Sequence, residues 1–176
     1  VAALLLSAAA FAQGLPSKPI RIIVPFPPGG IADGLARGLA ERMAKNVHQS
    51  VVVDNRPGGN TIIAAEAVST AAPDGYTLMM ATDATLSVLP LLYGKLPFDP
   101  AALMPVSIVA HTVEFLVVSA SVPANDVAGL VRLAKEKPGT LGYGSQGLGS
   151  NGHLAGAMFS KMAGVELTHV PYKGLA

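Results

Sequence analysis

The chain reads as an α/β fold with a parallel sheet. Short β-branched runs such as Ile20-Arg21-Ile22-Ile23-Val24 and Ser50-Val51-Val52-Val53-Asp54-Asn55 alternate with stretches of helical apolar spacing. The joints leading from strand to helix carry Gly, Pro and hydroxyl residues in place of long side chains. Apolar residues make up 51% of the 176 positions, ample for a core in a chain of this length.

Val1 to Gln13 is uncharged, apolar and too short to span a bilayer as a helix. Ala10-Phe11-Ala12 has the small-x-small pattern read by signal peptidase, and the basic region expected before such a run would lie upstream of Val1. Residues 1–12 are therefore expected to be the remnant of a signal peptide, with the chain clipped at its front and the mature protein exported and soluble.

Ile20 to Val24 is the first buried strand, and Ala32 to Asn46 is the first helix. Between them, Pro25, Pro27 and Pro28 forbid regular structure, while Gly29 and Gly30 permit backbone angles closed to other residues and expose the main chain. The unpaired N–H groups of the helix start and the positive end of its dipole then make a place for an anion, or the loop is merely a tight turn. Ser50 to Asn55 is the second strand, and Arg56-Pro57-Gly58-Gly59-Asn60 is a second Gly-rich joint before a helix over Thr61 to Ala71. Pro73-Asp74-Gly75 turns the chain into a third strand, Tyr76 to Ala81, and Thr82-Asp83-Ala84-Thr85 supplies hydroxyls before a short helix. In an open α/β sheet these three loops share the carboxyl edge of the strands, where such folds bind ligands.

Val106 to Ala110 and Glu114 to Ser119 read as extended apolar runs after a Pro-containing connection, and Asp126 as the N-cap of an amphipathic helix that Pro138-Gly139 stops. The design of the first loop then returns. Leu141 to Gly144 is a short strand, Ser145 to Gly152 a Gly- and Ser-rich loop, His153 to Ala163 a helix, Glu166 to Val170 a strand, and Pro171-Tyr172-Lys173-Gly174 a last loop.

Composition and spacing exclude several functions. A net charge of +1 with no Lys/Arg cluster argues against a nucleic-acid surface, and the absence of Cys rules out disulfides and thiolate metal sites. Gly142-Tyr143-Gly144-Ser145-Gln146-Gly147 fits a dinucleotide-binding pattern. The acid such a site needs belongs at the end of the next strand, however, and Glu166 stands at its start. Ser145 and Ser150 each follow a Gly directly and miss the nucleophile-elbow pattern, and His48, His111, His153 and His169 share no metal-ligand spacing. Arg56 can reach an anion or brace its own turn.

The motifs Pro25 to Gly30 with Asp33, Ala36 and Arg37, then Asn55-Arg56-Pro57-Gly58, Ala72 to Leu78, Lys95 to Pro100, Pro105-Val106-Ser107, Gly144 through Gly156 and Val170 to Gly174 resemble the Bug family. These are the periplasmic substrate-binding proteins of tripartite tricarboxylate transport systems. The resemblance implies a periplasmic-binding-protein-like Venus flytrap that closes two lobes on a small carboxylated ligand, needs no cofactor or metal, and hands its cargo to membrane transporter subunits. A monomer is expected. It further implies a parallel-sheet first lobe over 13–105, an interlobe crossover over 106–119 and an incomplete second lobe over 120–176, because family members are usually much longer.

By position, the resemblance places Pro28, Gly29, Gly30 and Asp33, with Thr82, Asp83 and Thr85, on the first-lobe wall of the cleft. Ser145, Gly147, Gly149, Ser150 and His153 meet a ligand carboxylate from the second lobe. Two departures stand out. Asp83-Ala84-Thr85 replaces an Asn-Gly-Thr type of loop and would repel a carboxylate unless Asp83 points away, and Leu103-Met104 replaces Asp-Phe. The alternative from another class is an α/β enzyme on phosphorylated or carboxylated metabolites, with Asp33 or His153 as acid or base.

Overall fold

The computed structural model describes residues 17–172, so the expected signal remnant and the Lys173-Gly174 end of the last loop lie outside the described residues. The chain runs β1 (Ile20–Val24), α1 (Ile31–Val47), β2 (Val51–Asn55), α2 (Ile62–Ser69), β3 (Thr77–Met79), α3 (Asp83–Ser87), α4 (Leu89–Leu92), α5 (Val127–Glu136), β4 (Gly142–Ser145), α6 (Asn151–Ala163) and β5 (Thr168–Pro171). Two sheets form. One is three-stranded in the order β2-β1-β3, and the other pairs β4 with β5; every pairing is parallel.

β1 is the axis of the larger sheet because it alone has neighbours on both sides, with Ile20 opposite Val51, Val24 opposite Asn55 and Ile23 opposite Met79. Ile20, Ile22, Ile23 and Val24 are all buried, as a central parallel strand requires. α1 lies on the Ile22 and Val24 face. Ala36 and Ala40, one turn apart, bring that helix close, and Phe26, Leu39, Met43, Val53 and Leu78 close the cluster around them. Burying each large aliphatic side chain here contributes about 1.5–3 kcal/mol. α2 packs on β1 and β3 with Ala64 and Ala65 fully buried.

Helix starts follow their caps. The Asp126 carboxylate accepts from the Gly129 amide at 2.6 Å and opens α5, as its position predicts. α6 begins two residues before the expected His153, because Ser150 acts as its cap. The runs 106–110 and 114–119 form no strand. Residues 104–120 are irregular and exposed throughout, since an extended segment becomes a strand only beside a partner and none of the described residues supplies one.

Candidate functional site

The β1–α1 loop is tied to the sheet by one carboxylate. Asp33, buried in the first turn of α1, accepts from the Gly29 amide (3.0 Å), Arg37 Nε (2.9 Å) and Asn55 Nδ2 (2.9 Å), and Asn55 Nδ2 also donates to the Phe26 carbonyl (3.1 Å). The Arg37 guanidinium, then the Gly29 amide and Asn55, hold the Asp33 carboxyl far below the usual carboxylate range, and Asp33 in turn raises Arg37. Asp33 is thus a fixed anion that braces the loop, and the Gly29 amide is already engaged.

Of the two glycines expected to need unusual angles, only Gly29 does (φ 89°); Gly30 has an ordinary extended backbone (φ −79°, ψ 173°). Gly30 is the N-cap, and a residue with no side chain leaves the first amides of α1, at Ile31 and Ala32, uncapped. Pro28 is exposed at the rim beside them.

The second and third loops are locked to each other. The Thr85 hydroxyl, fully buried, lies 2.8 Å from that of Thr61 and 3.1 Å from that of Thr82. The backbone from Gly58 to Thr61 is left-handed throughout, including the non-glycines Asn60 (φ 49°) and Thr61 (φ 74°). Such angles cost on the order of 1–3 kcal/mol at a non-Gly residue and persist where the surroundings hold them. Asp83 points away from these hydroxyls, and its Oδ1 accepts from Asn151 Nδ2 at the start of α6 (3.0 Å).

The β4–α6 loop is held by neutral groups. Ser145 Oγ accepts from the Gly147 amide (3.1 Å) and lies 2.6 Å from His169 Nε2. Ser150 Oγ donates to the Gly147 carbonyl (2.7 Å) and accepts from the His153 amide (3.3 Å), while His153 Nδ1 accepts from the Gly149 amide (3.0 Å). The rings of His153 and His169 stack at 4.1 Å, with Tyr143 beyond them at 5.0 Å from His169. Burial, and then the neighbouring His153, lowers the His169 pKa, and burial raises that of Tyr143. The loop hydroxyls and the amides of Gly147, Gly149 and His153 are therefore satisfied internally, and the first amides of α6, at Asn151 and Gly152, point out of the helix end.

The structure places the twelve expected residues in three loops and the helix starts behind them: Pro28, Gly29, Gly30 and Asp33 before and in α1, Thr82, Asp83 and Thr85 at α3, and Ser145, Gly147, Gly149, Ser150 and His153 before and in α6, with Asp83 and Gly149 at the contact between the two sheets' units. Several partners carried no signal in the spacing: Asn55 and His169 hold the two loops from neighbouring strands, and Asn60, Leu92 and Asn151 meet between the two sheets. Arg37, quoted above only within the family motif, stands four residues after Asp33 on one helix face, a spacing that could have pointed to the pair.

Residues 35–176 match the family described as tripartite tricarboxylate transporter family receptor. A UPF0065 protein of Bordetella pertussis is 37% identical over 174 residues, which cover 99% of this chain and 54% of that protein. Among solved structures, an R. palustris protein with adipate aligns with a TM-score of 0.76 at 36% identity, covering 90% of this chain and 54% of that one. The periplasmic binding protein BugD aligns with a TM-score of 0.73 at 32% identity, covering 90% and 53%. The fold is that of the periplasmic binding proteins, and the chain spans about half the length of the curated relatives it matches.

Proposed function

The chain belongs to the tripartite tricarboxylate transporter receptor family, and on that premise we propose that it serves as an extracytoplasmic receptor for a small carboxylated metabolite. The observation that carries this reading is that two Gly-rich loops each lead into a helix start, α1 and α6, with Asp33 and His153 already engaged inside their own loops and the first amides of each helix left without a side-chain partner. Backbone N–H at such helix starts suits a carboxylate and leaves it chemically unchanged.

In this proposal Pro28, Gly29 and Gly30 shape the mouth of the first-lobe site, and Asp33 keeps it in place. Thr82 and Thr85 set the neighbouring loop, with Asp83 at its outer edge. Ser145, Gly147, Gly149, Ser150 and His153 hold the second-lobe loop so that the α6 amides face the ligand. In the same reading 13–105 is the first lobe, 106–119 the crossover and 120–176 part of the second lobe. The adipate in the R. palustris structure points to a dicarboxylate with one end for each lobe. Export through a signal peptide and delivery to membrane transporter subunits complete the reading.

The enzyme alternative fares worse on geometry. Asp33 is committed to three donors and His153 to the Gly149 amide. Ser145 has an imidazole beside it, but it is buried under its own loop, and among the described residues no carboxylate orients His169. A calorimetric screen of C4 to C6 dicarboxylates tests the proposal. One-to-one binding with the dicarboxylate recovered intact is expected, and turnover, or indifference to every member of the series, would refute it.

A further inference from the structure

Three separate segments of the first unit converge on three residues within the stretch Leu148–Asn151 of the second. Asn60 Nδ2 donates to the Leu148 carbonyl. Asn151 Nδ2 donates to Asp83 Oδ1 at 3.0 Å. Between them Leu92 lies over Gly149, where a Cβ would stand 2.5 Å from Leu92 Cδ1 and 3.1 Å from Asn60 Nδ2. Gly149 is also held at φ 79°, so position 149 suits glycine both by conformation and by the approach of the first unit. Asn60 reaches across from the left-handed turn, a strained backbone of the kind kept where geometry matters more than local comfort.

We propose that Asn60, Asp83 and Leu92 form a latch that holds the Leu148–Asn151 segment against the first unit through protein contacts alone. The inference rests on the two-lobe receptor reading for its purpose and on the seam for its content. It makes Asp83 a positioning residue: its carboxylate is directed to Asn151 at the rim, which accounts for an acid in a loop that faces an anion. Closure then has a preferred register, with the α6 amides brought opposite those of α1 before any ligand adds its own contacts.

The chain has no native cysteine, so Arg42→Cys on α1 and Lys161→Cys on α6, both at exposed positions, can carry spin labels on the full chain. Pulsed EPR without ligand should give one dominant short distance. Asn60→Ala and Asp83→Ala should each shift the balance toward longer distances by about fivefold, the worth of one hydrogen bond, and adding Leu92→Ala should make the long population dominant. Asp83→Asn, which keeps an acceptor oxygen for Asn151, should preserve the short distance. A broad distribution in the parent chain, or the same distribution in the parent and the triple variant, would overturn the latch. The distances are read without ligand, so an absence of change on adding adipate would count against the receptor reading alone.

Discussion

In the β1–α1 unit the strand is buried on both faces, and the helix sends Ala36 and Ala40 into the core beneath the loop. In the β4–α6 unit the strand buries only Ser145, α6 buries no residue, and Met158, Met162 and Val170 face outward. The loops differ in the same sense. A buried carboxylate with three donors fixes the first, whereas hydroxyls and stacked imidazoles fix the second. One design, a strand running through a Gly-rich loop into a helix N-terminus, is thus built once on a packed core and once with its strand and helix largely exposed. In the two-lobe receptor proposed above, hinge closure would carry each unit as a body, so the difference lies in how each loop is held and not in which one moves.

The largest expected contrast is in the cores. Ile22→Ala should cost about 2–5 kcal/mol in denaturant unfolding, while Val170→Ala, at a position 41% exposed, should stay within about 0.5 kcal/mol. Equal costs would break the comparison.

The next contrast uses one substitution in two helices. At Gly156 a Cβ would fall on the Tyr143 ring, so Gly156→Ala should destabilise by about 1–3 kcal/mol. Gly38 on α1 has nothing within 4 Å of that position, so Gly38→Ala should gain up to about 1 kcal/mol from helix propensity. Chemical denaturation of the two variants reads the difference in sign.

The finest contrast is in pH. His169 binds its proton less readily when folded, so its contribution is present near neutrality and is lost as pH falls below about 6.5, the unfolded value. The folded Asp33 carboxyl is depressed, so its contribution holds above the unfolded value of about 3.9 and is lost only in stronger acid. Amides of residues 145–153 should therefore begin to lose protection as pH falls below about 6.5, while those of β1 persist to about pH 4. Asp33→Asn should remove the lower step and leave the upper one. A single transition common to both regions would show that the two loops are not independently held.

Much of this was legible in the sequence. The β-branched runs located β1 and β2, Asp126 declared its cap, and the ordered motifs pointed to the Bug family, in keeping with the family match and the likeness to BugD. Local chemistry fixes such features. The runs 106–110 and 114–119, read only as extended, form no strand among the described residues, because a ladder needs a neighbour from elsewhere in the chain. Asn55 on Asp33, His169 on Ser145 and Asn151 on Asp83 were hidden for a related reason: each joins residues 22 to 68 positions apart, and only the packed fold decides which polar groups meet. Gly30 was misjudged beside Gly29 because adjacent glycines do not reveal which of them carries the turn.

Amide hydrogen exchange, followed with and without adipate, tests the two-unit receptor account most directly. Ile20–Val24 and Val51–Val53 should exchange slowly in both conditions, and Gly142–Ser145 and Thr168–Val170 quickly without ligand. Adipate should slow the amides of residues 30–33 and 145–153 together, as two walls meeting one dicarboxylate require. Uniformly slow exchange in both units, unchanged by the ligand, would contradict it.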